Sequence, residues 1–262
     1  MLAVERRNII LEKLQEEKRV VVSELSRRFS VSEETIRRDL DKLHKDGLAI
    51  KSYGGAILNE NTNIDMPFNV RKKHNTTGKQ KIAEIIGSLI EDGDSIGLDA
   101  STTAVFIAKA IKEKENLTVV TNSVELLVEL SDVSGWNVIS TGGGIKEGYL
   151  ALVGPRVLQA LDSYNVDKAI LSCKGLDMEK GITDGNELFS QVKQGLIKSA
   201  KQLILAVDHS KFNKTAFSKI SDMEYADIVV TDEKPDAGWL DFFAAHGIQC
   251  IYPEGEYEIL ER

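Results

Sequence analysis

The sequence has few of the residues that would indicate a secreted or membrane protein. It contains only two cysteines, Cys173 and Cys250, and both lie in apolar stretches typical of buried strands. Two cysteines cannot form the disulfide framework of a small secreted domain, so we expect reduced thiols. The longest apolar runs have the length of strands, and residues 1–10 lack the pattern of a secretory signal. We therefore expect a cytoplasmic protein that does not contact the membrane.

The sequence also lacks long blocks of like charge and internal repeats. Its formal net charge of −8 argues against nucleic-acid contact over the whole surface. The charge is uneven, however: residues 1–57 carry 12 basic and 10 acidic side chains, and the remaining residues carry 21 and 31. The two regions thus have net charges of +2 and −10. This asymmetry is weak evidence that any DNA contact is confined to the N-terminal region.

Metal ligands are scarce and scattered. The histidines are His44, His74, His209 and His246, and none lies at a metal-binding spacing from another or from a cysteine. Such isolated histidines are more often surface or satisfied core residues. We expect neither a metal nor another cofactor, and a metal-dependent regulator is the weakest of the alternatives.

The length of 262 residues predicts two domains. Residues 1–57 combine short amphipathic helices with a small hairpin, residues 58–75 are polar and aperiodic like a linker, and residues 76–262 alternate strands with helices. That alternation predicts an α/β fold with a mostly parallel sheet covered on both faces. The predicted strands are Ser95–Leu98, Leu117–Thr121, Trp136–Ser140, Lys168–Cys173, Leu203–Val207, Ile228–Thr231 and Ile248–Tyr252; the predicted helices span 79–91, 102–113, 123–131, 187–200 and 238–246.

The N-terminal region has the order of elements of a winged helix-turn-helix. A helix over 4–18 is followed by a short β-branched run, a second helix that opens at Ser23, a tight turn, and a third helix capped by Ser32. Gly47 is placed to end the third helix in a left-handed conformation. A hairpin over 48–57 follows.

The third helix has one apolar stripe and one polar face. Ile36, Leu40 and Leu43 recur at helical spacing and predict burial on the other helices. The opposite face is suited to bases or phosphates in the major groove. The candidate DNA contacts on this helix are Ser32, Thr35, Arg37 and Arg38. The alternative is a solvated face with pairs such as Glu34–Arg38.

Polar residues follow several strands of the C-terminal region. The first strand is followed by Asp99-Ala-Ser-Thr-Thr103 at a helix start, where free backbone N–H groups favour an anion. Ligands of open α/β sheets bind at this carboxyl edge, although a helix cap alone would explain the hydroxyls. Gly142-Gly-Gly144 lacks dinucleotide-motif spacing and predicts a turn. Further candidates at strand ends or before helices are Thr121, Asn122, Lys174, Asp184, Glu187, Asp208 and Lys211.

Residues 5–57 closely resemble the winged-helix domain of DeoR-type bacterial regulators. The resemblance is carried by Glu5-Arg6, Val22–Phe29, Val31–Leu40, Leu43, Gly47 and Gly54-Gly55-Ala56. It implies that the helix containing Thr35–Leu40 is the recognition helix and that a wing with DNA-contacting residues follows. Two positions depart from the common pattern: Tyr53 stands where His is frequent, and Lys51 where Arg is frequent. The implied wing contacts are Lys51, Tyr53, Gly54 and Gly55.

The C-terminal region resembles the DeoR-type effector domain over about 76–252. The matching elements are Lys81-Ile-Ala83, Asp99–Thr103, Thr121-Asn122, Gly142-Gly143, Gly154, Lys174-Gly175 and Asp208–Phe212. This implies a Rossmann-like sheet domain related to ribose-5-phosphate isomerase. It also implies that Ser101, Thr102 and Thr103 hold a phosphate, and that Asp99, Lys174, Asp208 and Lys211 line the sugar-facing part of the site.

The leading hypothesis is a non-enzymatic transcriptional regulator that represses a carbohydrate-utilisation operon. Repression is implied by the resemblance, because members of this family are usually repressors. The regulator would bind double-stranded operator DNA as a homo-oligomer, a dimer or tetramer, and respond to a phosphorylated sugar. The alternative is a sugar-phosphate isomerase or hydrolase with a DNA-binding head, because Asp99, Lys174, Glu187 and Asp208 could transfer protons. Fold alone does not decide between them.

Overall fold

The computed structural model describes residues 1–59, 66–146 and 148–253. The chain divides into two compact units, Met1–His74 and Asn75–Arg262, which are treated separately below. Residues 60–65 of the predicted linker and 254–262 of the predicted second domain lie outside the described ranges. Among the described helices, none is long and apolar enough to cross a membrane.

The first unit is a winged helix-turn-helix with a three-stranded antiparallel sheet of order β1-β3-β2. Its second helix begins at Val22, one residue before the predicted start, while Ser32 caps the third as predicted. Gly47 has a φ of +74° and reverses the chain after that helix, as expected. The elements are α1 (Ala3–Glu17), β1 (Arg19–Val21), α2 (Val22–Phe29), α3 (Glu33–Lys45), β2 (Ala49–Ser52), β3 (Gly55–Leu58) and α4 (Phe68–Lys73).

The stripe predicted on α3 forms part of the core of this unit. Ile36 is fully buried, and Leu40 and Leu43 are each 2% exposed. They pack with Ile10 and Leu25, among other apolar residues of α1 and α2. Burial of each side chain of this size contributes roughly 1.5–3 kcal/mol to the free energy of folding. The stripe therefore determines which face of α3 is left exposed to solvent.

Helix α4 lies within the stretch 58–75, for which the sequence predicts an aperiodic linker. Phe68 and Val70 are 2% and 1% exposed, and Nζ of Lys73 lies 2.9 Å from Oε1 of Glu12 on α1. The first unit therefore extends to His74 instead of ending at 57. Two apolar residues suffice to dock so short a helix, and they are too few to produce a detectable period.

The second unit is built on a seven-stranded parallel sheet of order β15-β14-β12-β9-β4-β5-β6. All seven predicted strands of this sheet are confirmed. Its elements are α5 (Thr76–Leu89), β4 (Ser95–Leu98), α6 (Thr102–Ala110), β5 (Thr118–Thr121), α7 (Val124–Glu129), β6 (Asn137–Ser140), β7 (Gly144–Lys146), β8 (Ala151–Val153), α8 (Pro155–Leu161), β9 (Val166–Leu171), β10 (Gly175–Asp177), β11 (Gly181–Asp184), α9 (Glu187–Lys198), β12 (Ala200–Ala206), β13 (Ser218–Ser221), β14 (Ile228–Val230), α10 (Ala237–His246) and β15 (Gln249–Ile251).

The strand order places a topological switch point between β4 and β9. From β4 the chain proceeds outward through β5 and β6, and it then returns to β9 and proceeds in the other direction. Strands β9, β12 and β14 end in runs of consecutive buried residues, as expected for a sheet covered on both faces. In open sheets of this kind the crevice at the switch point is the usual ligand site.

Two smaller sheets and one helix were not predicted from the sequence. β10, β11 and β13 form an antiparallel sheet, β7 pairs with β8, and α8 begins with Pro155. Gly142 and Gly143 have φ values of +64° and +109°, which confirms the predicted turn. The small strands have three or four residues each, and all but β8 contain a single large apolar residue, which gives no periodic signal.

Candidate functional site

The polar face of α3 is solvent-exposed. Oγ of Ser32 accepts a hydrogen bond from the backbone N–H of Thr35 at 3.3 Å and lies 2.9 Å from its hydroxyl. Arg37 pairs with Glu33 at 2.6 Å, and Arg38 with Glu34 at 3.4 Å. The Arg38 side chain is 78% exposed. Such exposed pairs are worth little, so both guanidinium groups can exchange a carboxylate for a phosphate or a base edge.

The hairpin formed by β2 and β3 carries the predicted wing residues at its turn. Tyr53 is fully exposed, and Gly54 has a φ of +77° with open space where a side chain would be. Gly55 differs, because a Cβ there would collide with the carbonyl oxygen of Val20. Lys51 pairs with Asp41 of α3. The wing thus presents an aromatic ring and a cation, while Gly55 allows close approach of β1.

A buried ion pair fixes α3 against α1. Nε of Arg6 lies 2.5 Å from Oδ2 of Asp39, and Arg7 lies 3.5 Å from the other carboxylate oxygen. Arg6 and Asp39 are 7% and 3% exposed. Breaking such a pair leaves an uncompensated buried charge and is strongly destabilising. Sequence reasoning missed this contact, although Asp39 lies beside the apolar stripe of α3.

In the second unit, Asp99 connects the two strands at the switch point. It directly follows β4, and its Oδ2 accepts a hydrogen bond from the backbone N–H of Ser172, which directly follows β9. Its Oδ1 accepts one from the N–H of Ser101 at 3.1 Å. Asp99 is 1% exposed. The carboxylate therefore has a structural role as well as a place at the predicted site.

The hydroxyl residues after Asp99 form the start of α6. Ser101 is the N-cap, and its Oγ accepts a hydrogen bond from the N–H of Ala104 at 3.1 Å. Thr102 and Thr103 occupy the first turn and are each 5% exposed. The oxygen of Ser101 thus caps the helix, whereas its hydroxyl hydrogen and the positive end of α6 remain suited to an anion.

Thr121 and Asn122 at the end of β5 differ in how their side chains are used. The Thr121 hydroxyl donates to the carbonyl of Leu98 at 2.8 Å and accepts from the N–H of Ser123 at 3.0 Å. The Asn122 amide donates to the carbonyl of Leu152 at 2.9 Å. Its Oδ1 is buried and accepts no hydrogen bond from the part of the chain that the structure describes. Thr121 therefore stabilises the sheet edge, and Asn122 retains an acceptor for a ligand or water.

A buried lysine on α9 joins the site and was not predicted. Nζ of Lys193 contacts Asp184, donates to the carbonyl of Ser172 at 2.7 Å and lies 3.4 Å from Oδ2 of Asp99. Although burial disfavours its charge, the carboxylates of Asp184 and Asp99 raise the pKa of Lys193 above its usual value. Burial also opposes ionisation of Asp184, but Lys193 holds the pKa of that carboxyl below its usual value. The lysine thus offsets part of the negative charge of Asp99 and Asp184 at the floor of the site.

Lys174 follows β9 and lies against Gly185, where a Cβ would come within 2.6 Å of Nζ. Burial lowers the pKa of Lys174 to about 8, against the attraction of Asp184. Lys193 and Lys211 also lower it, so these side chains are close enough for their charges to interact. The structure therefore brings residues of three different strand ends into one charged cluster, as the sequence predicts.

Asp208 and Lys211 follow β12. Asp208 is buried and accepts hydrogen bonds from the N–H and hydroxyl of Ser210; Nζ of Lys211 lies 3.8 Å from its Oδ2. Burial alone would raise the pKa of Asp208, but Lys211, Ser210 and the charge of Lys79 hold it below its usual value. Lys79 on α5 is 5% exposed and was missed, because nothing in its sequence context distinguishes it from a surface lysine.

Glu187, also predicted for this site, is exposed at the start of α9. Its side chain accepts a hydrogen bond from Gln191 at 3.4 Å. It lies three residues from Asp184, but it shares none of the ion pairs that join Asp99, Asp184 and Lys193.

One further cluster lies at the ends of β12 and β14. Nδ1 of His209 is 3.0 Å from Oδ2 of Asp232 and 3.5 Å from Oε1 of Glu233. Burial opposes protonation, yet the hydrogen bond from His209 to Asp232 and the charge of Glu233 raise the pKa of the imidazole. The four histidines of the sequence gave no sign of this cluster, because its carboxylates follow a different strand.

Family models match both units. The model of the DeoR-like helix-turn-helix domain matches residues 6–62, and that of the DeoR C terminal sensor domain matches residues 74–233. Among known proteins, the uncharacterized HTH-type transcriptional regulator YulB of Bacillus subtilis (strain 168) is 40% identical over 236 residues, covering 90% of this chain and 91% of YulB. The HTH-type transcriptional repressor GlcR of the same strain is 35% identical over 254 residues, covering 97% and 98%.

The glycerol-3-phosphate regulon repressor of Escherichia coli (strain K12) is 29% identical over 249 residues, covering 95% of this chain and 98% of that protein. Among solved structures, ribose 5-phosphate isomerase A from Methanocaldococcus jannaschii matches 53% of this chain and 55% of its own, with a TM-score of 0.39 and 18% identity.

A winged helix joined to a parallel-sheet sensor unit defines a two-domain DNA-binding transcriptional regulator. With both units matched and relatives aligned over nearly their whole length, the chain belongs to the DeoR family.

Proposed function

We propose that this protein is a transcriptional repressor whose operator binding is released by a phosphorylated sugar. The observation that carries the proposal is the charged cluster at the switch point between β4 and β9. Four lysines, Lys79, Lys174, Lys193 and Lys211, lie at or around this crevice with three buried aspartates, Asp99, Asp184 and Asp208. The lysines of this cluster, beside the first turn of α6, favour an anionic ligand.

The arrangement gives separate roles to the two ends of such a ligand. The N-terminus of α6, with Ser101, Thr102 and Thr103, and the cation of Lys211 would hold the phosphate. The buried carboxylates and the free acceptor of Asn122 would receive sugar hydroxyls, because hydroxyl groups donate to carboxylate and amide oxygens. We assign to Thr121 the structural role of stabilising the carboxyl edge of the sheet. We assign Glu187, which is exposed at the start of α9, to the ligand-binding residues together with Asp99, Lys174 and Asp208.

For the DNA, we assign base or phosphate contacts to Ser32, Thr35, Arg37 and Arg38 of α3. The wing residues Lys51, Tyr53 and Gly54 would contact the neighbouring backbone, and Gly55 would shape the hairpin. Names of relatives support repression as the direction of control, since GlcR and the glycerol-3-phosphate regulon protein are both called repressors. The second of these also controls a regulon named for a phosphorylated three-carbon compound.

We further propose that the protein acts as a homo-oligomer. Residues 1–57 have a net charge of only +2, so one head would neutralise few phosphates. Two heads on paired half-sites gain affinity because the second contact is intramolecular. The effector would change operator affinity by binding one arrangement of the oligomer more tightly than the other.

A thermal-shift screen tests the ligand class. The full-length protein is heated with hexose phosphates, pentose phosphates and glycerol 3-phosphate, each beside its neutral counterpart. At 100 times its Kd a ligand stabilises the folded state by about 2.7 kcal/mol, which raises the melting temperature of a unit of this size by roughly 5–10 °C. The proposal fails if no phosphorylated compound outperforms its neutral counterpart, or if the active compound does not release operator DNA.

The enzyme alternative is favoured by one observation. The pKa of Lys174, lowered to about 8 by burial, lies near physiological pH, and Asp184 is close by. Such a pair could transfer protons on a sugar phosphate. Incubating the protein with each compound from the screen and analysing the products by NMR separates the two functions: turnover lost in Lys174→Met would establish an enzyme, and stable binding without turnover supports a sensor.

A further inference from the structure

The side chains of His209, Asp232 and Glu233 form a compact set of nitrogen and oxygen donors. One ligand atom from each lies within 4.8 Å of the others. The closest pairs are 3.0 Å for Nδ1 of His209 and Oδ2 of Asp232, and 3.5 Å for Nδ1 and Oε1 of Glu233. Two ligands of a tetrahedral zinc ion lie about 3.3–3.6 Å apart, because each is about 2.0–2.2 Å from the metal. The pair of His209 and Glu233 already has this spacing, and that of His209 and Asp232 would widen by a few tenths of an ångström.

Backbone geometry brings these residues together from neighbouring parallel strands. His209 follows the end of β12, and Asp232 and Glu233 follow the end of β14. The side chains of His209 and Glu233 are 51% and 61% exposed, whereas that of Asp232 is 3% exposed. The cluster therefore has one fixed ligand at its base and two ligands at the surface, an arrangement that an ion can enter from solvent.

The buried ligand is held in place by two further hydrogen bonds, one from a backbone N–H and one from a side chain outside the cluster. Oδ1 of Asp232 accepts from the backbone N–H of His209 at 2.7 Å, and Oδ2 accepts from the amide of Asn75 at 3.0 Å. Asn75 is itself fixed, because its Oδ1 caps α5 by accepting from the N–H of Gly78. Outer hydrogen bonds of this kind orient a metal-binding carboxylate and increase its affinity for the ion.

We propose that His209, Asp232 and Glu233 form a binding site for a divalent transition metal of the zinc class. Nδ1 of His209, Oδ2 of Asp232 and Oε1 of Glu233 would be the protein ligands, and water would complete a tetrahedron. One imidazole and two carboxylates suit Zn²⁺, and three protein ligands with one water is a common open zinc site. Both His209 and Asp232 would bind the ion in their deprotonated forms.

The position of the site gives it a structural consequence. Asp232 is bonded to Asn75, the first residue of the second unit, and His209 directly follows Asp208 of the sugar-phosphate site. A bound ion would tie the start of α5 to the loop after β12. None of the three proposed metal ligands is among the residues assigned to the phosphorylated sugar.

Calorimetric titration of the full-length, chelator-treated protein with Zn²⁺ tests the proposal. We expect one ion per chain and a higher melting temperature that returns to its original value on addition of EDTA. His209→Ala and Glu233→Gln are expected to lose this binding. His246→Ala is the matched control, since His246 lies 3.9 Å from the carboxylate of Glu224 but belongs to no three-ligand set among the described residues.

Co²⁺ provides a second measurement that does not depend on stability. In a four-coordinate site it absorbs visible light strongly, and this absorption is expected in the wild type and in His246→Ala but not in His209→Ala. Melting of each metal-free variant establishes that it is folded. The proposal is overturned if the wild type shows no saturable binding, or if His209→Ala or Glu233→Gln retains wild-type affinity. Neither measurement uses DNA or sugar phosphate, so failure here leaves the repressor proposal intact.

Discussion

Replacement of Lys193 by Met tests whether the buried ion cluster holds the sensor unit together. The variant keeps most of the side-chain volume but removes the cation between Asp184 and Asp99, which are 4% and 1% exposed. It also removes the donor to the carbonyl of Ser172. Leaving a buried charge without its partner costs about 3–5 kcal/mol. For a unit of this size, that lowers the melting temperature by roughly 10 °C.

The loss is expected to depend on pH. In the wild type, Lys193 holds the folded-state pKa of Asp184 below its usual value, so this carboxylate stabilises the fold above its unfolded-state pKa and loses that effect as the pH falls. In Lys193→Met, burial still opposes ionisation of Asp184, and Lys174 and the backbone N–H of Gly185 still favour it. Without the cation of Lys193, the folded-state pKa of Asp184 is higher than in the wild type. The variant is then most destabilised near neutral pH, and the difference from the wild type shrinks in acid.

Tryptophan fluorescence during urea unfolding measures this effect in the correct unit, because both tryptophans, Trp136 and Trp239, lie in the second unit. Lys198→Met is the matched control: Lys198 lies on the same helix but is exposed, and its replacement is expected to change stability by at most about 0.5 kcal/mol. A Lys193→Met protein as stable as Lys198→Met, or a loss that does not vary between neutral and acidic pH, would refute the argument.

Three further predictions concern DNA, effector and assembly. Arg37→Ala and Arg38→Ala are each expected to weaken operator binding by roughly 1–3 kcal/mol if the side chain contacts a guanine. Footprinting on operator and random DNA measures this, and full binding by the double variant would contradict the assignment of these residues to DNA. Lys211→Ala is expected to raise the effector concentration that releases operator, whereas exposed Lys214→Ala is not; equal release curves would place the phosphate elsewhere. Sedimentation of the full chain and of residues 76–262 is expected to show oligomers at micromolar concentration, and strictly monomeric behaviour of both would contradict the assembly proposal.

The main sheet could be predicted because short runs rich in β-branched residues alternate with helical stretches along the chain. The third helix could be predicted because Ile36, Leu40 and Leu43 repeat at helical spacing and Ser32 marks its start. Helix α4 could not, since Phe68 and Val70 are its only buried residues and two apolar positions give no period. The strands β10, β11 and β13 are held by pairing between segments distant in sequence, for which single short stretches give no signal.

The convergence of Asp99, Lys174 and Asp208 could be predicted because the strand ends of a parallel sheet meet at one edge. The electrostatic balance of the candidate site was not predicted. Lys193 lies in the middle of an amphipathic helix, where a lysine normally faces solvent, and only the tertiary structure places it between two carboxylates. Likewise, the pairing of Arg6 with Asp39 joins residues 33 positions apart.

The position of β4 next to β9 affects the order in which the chain folds during synthesis. Ser95 and Asp167, which hydrogen-bond across this central strand pair, are separated by 72 residues, and the sheet cannot close until that intervening segment has been made. The winged helix is complete within the first 74 residues and depends on more local contacts, which form faster than distant strand pairs. N-terminal domains generally fold first as they emerge from the ribosome. A chain whose translation stops early is therefore expected to carry a folded DNA-binding head without the sensor that would regulate it.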